Sequence, residues 1–327
     1  MDNNLYDKLH AEGLISDESL GKVKWHEQQP ALFSVHWEIR TLLYIGVLLL
    51  TGGLGLLIYE NIDTIGHQFV LGFIALICAG CLVYCFNTKL PFSAARVPAP
   101  NSFFDYILLL GSISLVTFVG YLQYQYSVFG THYGMATLIP MLALFFIAYY
   151  LDHLGILSMA IANFAVWMGV TVTPKELLLH SDFNSQVIVF TYLALGLILV
   201  FAGRASQRFK FKAHFKFSYQ HYGIHVTYIA LLAGYFLFYD SFAAFGWIAG
   251  IGLFSVMMYN DAFKNRSFYF LLLVALYSYI AVSSLVVRVV AAAPSEGAIY
   301  LVLLYFIGSG IGMIFLLINL NKKLKAA

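Results

Sequence analysis

Long apolar runs separated by short polar segments dominate this sequence. Each run holds about 17 to 25 residues with few charges, the length at which a helix crosses roughly 30 Å of hydrocarbon. The runs are continuous and do not alternate in polarity, which favours helices over a membrane β-barrel. The pattern predicts ten transmembrane helices, at residues 41–59, 68–86, 104–122, 134–151, 154–172, 187–202, 222–239, 241–259, 268–290 and 297–319.

A polar segment precedes the first apolar run. Its sequence predicts a small helical hairpin, in which Gly13 ends one helix and Ser16 caps the next. We expect two domains, a cytoplasmic N-terminal helical hairpin at 1–36 and a transmembrane helical domain at 37–327. The hairpin either docks a protein partner or only packs on the cytoplasmic face.

The composition supports the same fold class. The chain is 61% hydrophobic and only 10% charged, and a soluble domain of this size needs far more charge to cover its surface. We therefore expect an all-α polytopic membrane protein.

Two of the predicted turns are very tight, because only the motifs YYLDHLG and FYDSFAAFG interrupt the apolar residues around them.

The distribution of Lys and Arg predicts the orientation. With the N-terminus in the cytoplasm, all but two of the 18 Lys and Arg residues fall on the cytoplasmic side, the exceptions being Lys175 and Arg288. Cytoplasmic loops of membrane proteins carry such an excess of positive charge. We expect both termini to be cytoplasmic.

The N-terminal region resembles a known family. The stretch LHAEGLISDESLGKV and the Gly-rich first helix with its flank, LYIGVLLLTGGLGLLIYENIDTIG, are similar to a bacterial family of multi-pass membrane proteins, domain of unknown function 2157. That family tends to carry an Asn-Trp-Asp-like triplet after the first helix, where this chain has Asn61, Ile62 and Asp63 without the aromatic residue. The resemblance implies a multi-pass protein of the bacterial inner membrane and supplies no mechanism.

Charged side chains gather at the predicted outer surface. If the first helix extends beyond the hydrocarbon, Glu60, Asp63 and His67 share one face, and this arrangement suits a metal or a general acid and base. Together with Asp240 and Arg288 they form a candidate binding cluster, which we call the outer cluster. The alternative is that polar residues simply collect where helices leave the membrane.

Arg288 lies in an apolar setting near the end of the ninth predicted helix. Because an unpaired Arg is costly in hydrocarbon, we expect it to pair with Glu60 or Asp240. The alternatives are Asp63, Glu296 or a lipid phosphate.

Basic and aromatic residues alternate in the segment RASQRFKFKAHFKFSYQHYG. This pattern suits an extended or amphipathic segment at an anionic membrane surface. We expect contact with anionic lipid headgroups and no nucleic-acid partner. The candidate lipid-contacting residues are Arg208, Lys210, Lys212 and Lys216.

Two further patterns concern the membrane interior. Asn163 is the most polar group at mid-depth, and we expect it to form an interhelical hydrogen bond or to line a cavity. Cys78, Cys81 and Cys85 share a helix face, but no fourth ligand is near and Cys packs well in apolar helices, so no metal is predicted.

Small residues at helical spacing predict close helix contacts. Gly246 and Gly250 lie in the eighth predicted helix, and Gly308 and Gly312 lie in the tenth. They mark either contacts within the chain or a dimer face, so the oligomeric state stays open.

Three classes of function remain open. The chain lacks the soluble-enzyme motifs for phosphate binding, a zinc pair or a nucleophile elbow, and no predicted helix carries Asp, Glu or Lys near its middle. We therefore predict no catalytic residue, no cofactor and no ion coupling. The first class is a permease-like or lipid-handling protein for an apolar or amphipathic small molecule. The alternatives are a structural or sensory protein acting through the hairpin, and an intramembrane enzyme using the outer cluster.

Overall fold

The fold is helical throughout the part of the chain that the structure describes, which contains no strand. The chain divides into two compact units, 1–70 and 71–327. The predicted boundary after residue 36 lies outside the described part and stays a prediction. A computed structural model of the protein describes residues 10, 12–20, 42, 45, 46, 49, 52, 53, 56, 66–101, 103–172, 186–292 and 297–326.

In the N-terminal unit, the described residues include the turn of the predicted hairpin. Gly13 has φ of +69°, a left-handed conformation that glycine adopts at little cost. Ser16 caps the following helical residues, because its Oγ accepts a hydrogen bond from the amide of Ser19 at 3.3 Å. These contacts agree with the turn chemistry that the sequence indicates.

The described residues then contain nine long helices, and a 3₁₀ turn at Ala213–Phe215 precedes the sixth. Each overlaps one predicted span, with bounds that differ by up to seven residues, and the all-α prediction is confirmed. The helices are α1 (His67–Thr88), α2 (Phe104–Tyr126), α3 (Tyr133–Leu151), α4 (Leu154–Val172), α5 (Gln186–Arg208), α6 (Lys216–Leu237), α7 (Ala243–Lys264), α8 (Phe268–Ala291) and α9 (Ala298–Ala326).

Eight of these nine described helices are long and apolar enough to cross a membrane. The protein is therefore a polytopic membrane protein. The exception is α6, and the first predicted helix at 41–59 lies largely outside the described residues. Both tight turns are present, because α4 begins three residues after α3 ends and α7 begins six residues after α6 ends.

Helix α6 differs from its neighbours because other helices surround it. Its sequence begins KFSYQHYGIH, and it packs against α4, α5, α7 and α8. The polar side chains of this helix therefore contact other helices. On a peripheral helix, side chains at the same positions would contact lipid. This position explains how α6 is long without being uniformly apolar.

The closest helix packing in the described residues joins α5 and α6. A Cβ added to Gly196 would lie 2.6 Å from the amide nitrogen of Thr227, and one added to Gly223 would lie 2.8 Å from the amide nitrogen of Val200. Real Cβ atoms do not approach backbone atoms this closely. The two helices can therefore lie this close only because glycine has no side chain at these positions.

The glycines predicted from their spacing are not the ones that make this contact. A Cβ on Gly246, Gly308 or Gly312 would meet no heavy atom within 4 Å among the described residues, and one on Gly250 would meet only the flexible end of Leu231, at 3.3 Å. Spacing alone identified candidate glycines, but the partner helix decides which of them permit a close approach.

Two groups of buried side chains form the core of the second unit. One lies mainly among α2 to α5 and includes Leu108, Ile156 and, from α6, Tyr219. The other lies mainly among α5 to α8 and includes Tyr228 and Met258. Helices α5 and α6 contribute to both groups, so they join the two halves of the bundle.

Candidate functional site

The outer cluster is only partly within the described residues. Glu60 and Asp63 lie outside them, and His67 is the first residue of α1 in the N-terminal unit. Asp240 is exposed in the turn between α6 and α7, and Arg288 lies in the last turn of α8. The cluster as a whole therefore stays a prediction.

Arg288 packs on aromatic rings. Its Cζ lies 4.4 Å from the ring centroid of Tyr239 and 5.5 Å from that of Phe245. The Nη1 atom is buried and has no hydrogen-bond partner. Among the described residues no carboxylate lies within 4.0 Å of the guanidinium, so the predicted pair with Asp240 is not formed, whereas Glu60, Asp63 and Glu296 lie outside the described part.

An open groove of about 590 Å³ lies next to this arginine. Its walls come from the end of α6, the second half of α8 and one side chain of α9, and most of them are apolar or aromatic. The groove spans two turns of α8, about 12 Å at 1.5 Å per residue. The lining residues are Phe236, Tyr239, Tyr279, Ile280, Ser283, Ser284, Val287 and Phe306.

Three of the four hydroxyl groups that line the groove have partners within the protein, and the phenol of Tyr239 is the fourth. Tyr279 bonds to Ser309 at 3.0 Å, and Ser283 bonds to Tyr305 at 3.0 Å, so both link α8 to α9. Ser284 donates to a carbonyl of its own helix. Because these three hydroxyl groups are satisfied, the groove offers a largely apolar surface, and Arg288 adjoins it through the ring of Tyr239.

A buried ionic cluster lies at the opposite ends of the helices. The side chain of Asp152 is 1% exposed and that of Lys212 is 0% exposed, and the Nζ of Lys212 lies 3.1 Å from Oδ2 of Asp152. The other oxygen of Asp152 bonds to Nε2 of His214. We call Asp152, Lys212 and His214 the Asp152 cluster.

The Asp152 cluster also holds the loop between α1 and α2. The amide of Val97 donates to Asp152, and the amide of Lys212 donates to the carbonyl of Ala94 at 2.8 Å. Both Asp152 and Lys212 have positive φ, so each sits at a sharp turn that aims its side chain inward. Three chain segments that are far apart in sequence therefore meet at one carboxylate.

His153 caps α4 next to this cluster. Its Nδ1 accepts a hydrogen bond from the amide of Ile156, which requires that nitrogen to be unprotonated. Burial lowers the pKa of His153, while the carboxylates of Asp105 and Asp152 act in the opposite direction. The lowered pKa favours the neutral ring that the cap needs.

A second ionic cluster joins α5, α6 and α7. Oδ1 of Asp261 lies 3.9 Å from Nε of Arg204, and its Oδ2 lies 3.7 Å from Nζ of Lys216. Gln220 donates to the same carboxylate at 2.9 Å, and Lys216 also donates to Gln207. We call Asp261, Arg204, Lys216 and Gln220 the Asp261 cluster.

These clusters change the interpretation of the basic segment. The structure has a helix end, a short turn and a 3₁₀ turn where the alternation predicted an extended or amphipathic segment. Lys212 and Lys216 are buried against carboxylates, so neither side chain faces lipid. Arg208 and Lys210 are exposed, and for them contact with anionic lipid stays a prediction.

A chain of His and Tyr side chains connects α6 with α8. The phenol of Tyr269 bonds to Nδ1 of His221 at 2.6 Å and lies 3.4 Å from Nε2 of His225. Nδ1 of His225 bonds to the phenol of Tyr277 at 2.7 Å. These four groups satisfy one another, so we interpret the chain as a contact that fixes α6 against α8.

Comparison with known proteins identifies the first part of the chain. Residues 7–157 match the model of the family described as Predicted membrane protein (DUF2157). This match confirms the resemblance found in the sequence and extends well beyond the N-terminal motifs. No curated protein and no solved structure matches the chain.

The DUF2157 match covers somewhat less than half of the chain. It includes Asp152 and the loop between α1 and α2, but it ends before Lys212 and before every residue of the groove. The family description states membrane location and no activity. Any function of the groove must therefore be argued from its own residues.

Two predictions for the membrane interior concern Asn163 and the three cysteines. Asn163 donates to the carbonyl of Met159 at 3.1 Å within α4, which is not the interhelical bond that we expected, and the alternative that it lines a cavity stays a prediction. Cys78, Cys81 and Cys85 are free thiols on α1, and Cys78 and Cys85 are buried.

Sequence reasoning missed Asp152, Asp261 and the His–Tyr chain. His221 and His225 of α6 carry no charge pattern in the sequence that separates them from other polar residues near a helix end. A usable signal was present in the charges. Asp152 and Asp261 fall on the side that is rich in Lys and Arg, where a carboxylate near a helix end has cations within reach.

Proposed function

We propose that this protein is a lipid-handling or permease-like membrane protein that binds an amphipathic small molecule in the groove between α6, α8 and α9. The observation that carries the proposal is the groove itself, which has a largely apolar wall. Its volume falls in the range of about 300 to 1,000 Å³ typical of small-molecule sites.

The surroundings of the groove support entry from the bilayer. Phe236, Ile280 and Phe306 line the groove and are exposed in this unit, although they belong to membrane-crossing or bundle helices. An acyl chain of a bilayer lipid therefore has the chemistry and the location to occupy the groove. Because three of its four hydroxyl groups are used in internal hydrogen bonds, the groove has few donors to offer a sugar or a nucleotide.

A photo-crosslinking experiment tests this proposal. The purified protein is mixed with a lipid that carries a photoactivatable group in its acyl chain, and the labelled peptides are identified. We expect labels on α8 near Ile280 and Ser283. The Ile280→Trp variant fills the groove, so we expect the label there to fall several-fold.

Val282→Trp is the matched control. Val282 is exposed on the same helix but does not line the groove, so the same substitution should leave the labelling unchanged. Equal labelling of both variants, or labels spread evenly over all lipid-facing helices, would show that the groove holds no specific ligand.

The proposed orientation places both termini in the cytoplasm of a bacterium and the groove in the outer half of its inner membrane. In a variant without native cysteines, Thr131→Cys and Lys210→Cys each place one thiol in an exposed turn, between α2 and α3 and after α5 respectively. An impermeant thiol reagent added to intact cells should label position 131 and not position 210. Labelling only at position 210 would show that the orientation is the opposite of the proposed one.

A further inference from the structure

Arg288 is a charged residue beside the groove, and one of its guanidinium nitrogens has no hydrogen-bond partner. Its Nη1 is buried without a hydrogen-bond partner, and within the described residues no carboxylate lies within ion-pair distance. A buried guanidinium nitrogen without an acceptor is costly, and the cost is larger in an apolar setting. Such a group is stabilised by any anion that reaches it.

The position of Arg288 connects it with the groove. Its guanidinium stacks on the ring of Tyr239, and Tyr239 is itself part of the groove wall. Val287, the preceding residue of α8, also lines the groove. The cation therefore lies beside the end of the groove that is nearest the membrane surface, where α6 and α8 both end.

The aromatic contacts hold the guanidinium in place without neutralising it. Tyr239 and Phe245 offer their ring faces, which attract a cation but accept no strong hydrogen bond from its N–H groups. Among the described residues no carboxylate competes for the planar donors of this side chain. Arginine binds phosphate oxygens through two parallel hydrogen bonds, a geometry that lysine does not reproduce.

We propose that Arg288 binds the phosphate of a phospholipid whose acyl chain occupies the groove. The inference rests on the proposed function and narrows it to an anionic phospholipid. In a bilayer phospholipid the apolar acyl chain is joined to a phosphate at the membrane surface. The chain can therefore lie in the groove while the phosphate lies beside Arg288. The phosphate supplies the negative charge that the described neighbours of Arg288 do not supply.

The test compares phosphatidic acid with diacylglycerol, using the same acyl chains and the same photoactivatable group in both. The two lipids differ only by the phosphate. We expect phosphatidic acid to label the groove about tenfold or more above diacylglycerol, because hydrogen bonds to charged groups contribute about 1.5 to 3 kcal/mol. In Arg288→Gln the ratio should fall close to one.

Arg288→Lys provides a second variant that keeps the charge and loses the planar donors. We expect its ratio of phosphatidic acid labelling to diacylglycerol labelling to lie between those of the unaltered protein and Arg288→Gln. Such a value would show that the two parallel hydrogen bonds contribute in addition to the charge. Free inorganic phosphate should not reduce the labelling by phosphatidic acid, because without an acyl chain it lacks the contact with the groove. Full competition by inorganic phosphate would show a simple phosphate site and overturn the assignment to a lipid.

The outcomes separate this inference from the proposed function. If both lipids label the groove equally in the unaltered protein, the groove binds acyl chains and Arg288 does not select the headgroup. If neither lipid labels the groove, the lipid-handling function fails together with the inference. If the ratio stays high in Arg288→Gln, a group other than Arg288 recognises the phosphate, and the inference is wrong.

Discussion

Asp152→Asn should destabilise the protein by about 3 to 5 kcal/mol, the usual result of removing one partner from a buried ion pair. The substitution keeps the size of the side chain, and Asn tolerates the left-handed backbone conformation of this position, with φ of +58°. The loss of stability therefore measures the effect of removing the negative charge of Asp152. Lys212, which is 0% exposed, is left without its counter-ion.

The effect should be large because several contacts depend on the same carboxylate. Asp152 accepts hydrogen bonds from the amide of Val97 and from His214, in addition to the ion pair with Lys212. An amide has only one acceptor atom and presents N–H donors toward an ammonium group. We expect both the loop between α1 and α2 and the turn after α5 to loosen.

Thermal unfolding in detergent micelles measures this effect with the native thiols as reporters. Cys78 and Cys85 are buried, so we expect a fluorogenic thiol reagent to reach them only when the bundle opens, above the constant signal of the partly exposed Cys81. Adding Lys212→Met to Asp152→Asn removes the stranded charge and should restore part of the lost stability. A double variant no more stable than the single one would show that charge burial is not the cause.

Asp105→Asn is the matched control for this prediction. Asp105 lies 3.6 Å from Nε2 of His153, but its side chain is 48% exposed, and exposed pairs contribute about 0 to 1 kcal/mol. We expect a small change in the unfolding temperature. Similar losses for Asp105→Asn and Asp152→Asn would contradict the central role that we assign to the Asp152 cluster.

The helices of this protein were predictable because the bilayer imposes a strong length and polarity requirement. Helix α4 has the bounds that hydropathy predicts, and α1 and α3 differ from their predictions by no more than two residues. Helix α6 was predicted to begin at residue 222 and begins at Lys216. Its first turns are polar, and only the surrounding helices reveal that they are packed inside protein.

The ionic clusters were not predictable for a different reason. Asp152 and Lys212 lie 60 positions apart, and no local pattern joins them. The positive-inside rule treats each Lys and Arg as facing water, so it favours a lipid or solvent contact for Lys212. Pairing of helix ends depends on which helices are neighbours, and a single sequence does not supply that arrangement.

Arg288 illustrates how far sequence reasoning reaches. Its apolar setting indicated an arginine in need of an anion, and one guanidinium nitrogen is indeed buried without a partner. The predicted partner Asp240 is exposed and does not pair with it. The groove beside Arg288 arises from side chains of three helices, so it becomes visible only when α6, α8 and α9 are placed together.

Gly223→Ala should strongly destabilise the helical bundle. The new methyl group would lie 2.8 Å from the amide nitrogen of Val200 and 3.0 Å from the carbonyl oxygen of Gly196. Both are backbone atoms of α5, so no side-chain rotation relieves the overlap and the two helices must separate. Overpacking of a core costs about 1 to 3 kcal/mol and more where backbone must move. We expect a loss of at least about 3 kcal/mol.

Gly308→Ala in α9 supplies the comparison. It makes the same chemical change within a helix, but the new methyl group would meet no heavy atom within 4 Å among the described residues. Replacing a helical glycine by alanine otherwise favours the helix by about 0.5 to 1 kcal/mol. We expect Gly308→Ala to unfold at the same temperature as the unaltered protein or above it.

Gly196→Ala makes the same test from the other helix. A Cβ at this position would lie 2.4 Å from Oγ1 of Thr227 and 2.6 Å from its amide nitrogen. If the hydroxyl were the only obstacle, Thr227→Ala would rescue Gly196→Ala. Because the amide nitrogen remains in place, we expect no rescue, and the double variant should unfold as early as Gly196→Ala alone. Recovery in the double variant would mean that α5 and α6 lie farther apart than this structure places them.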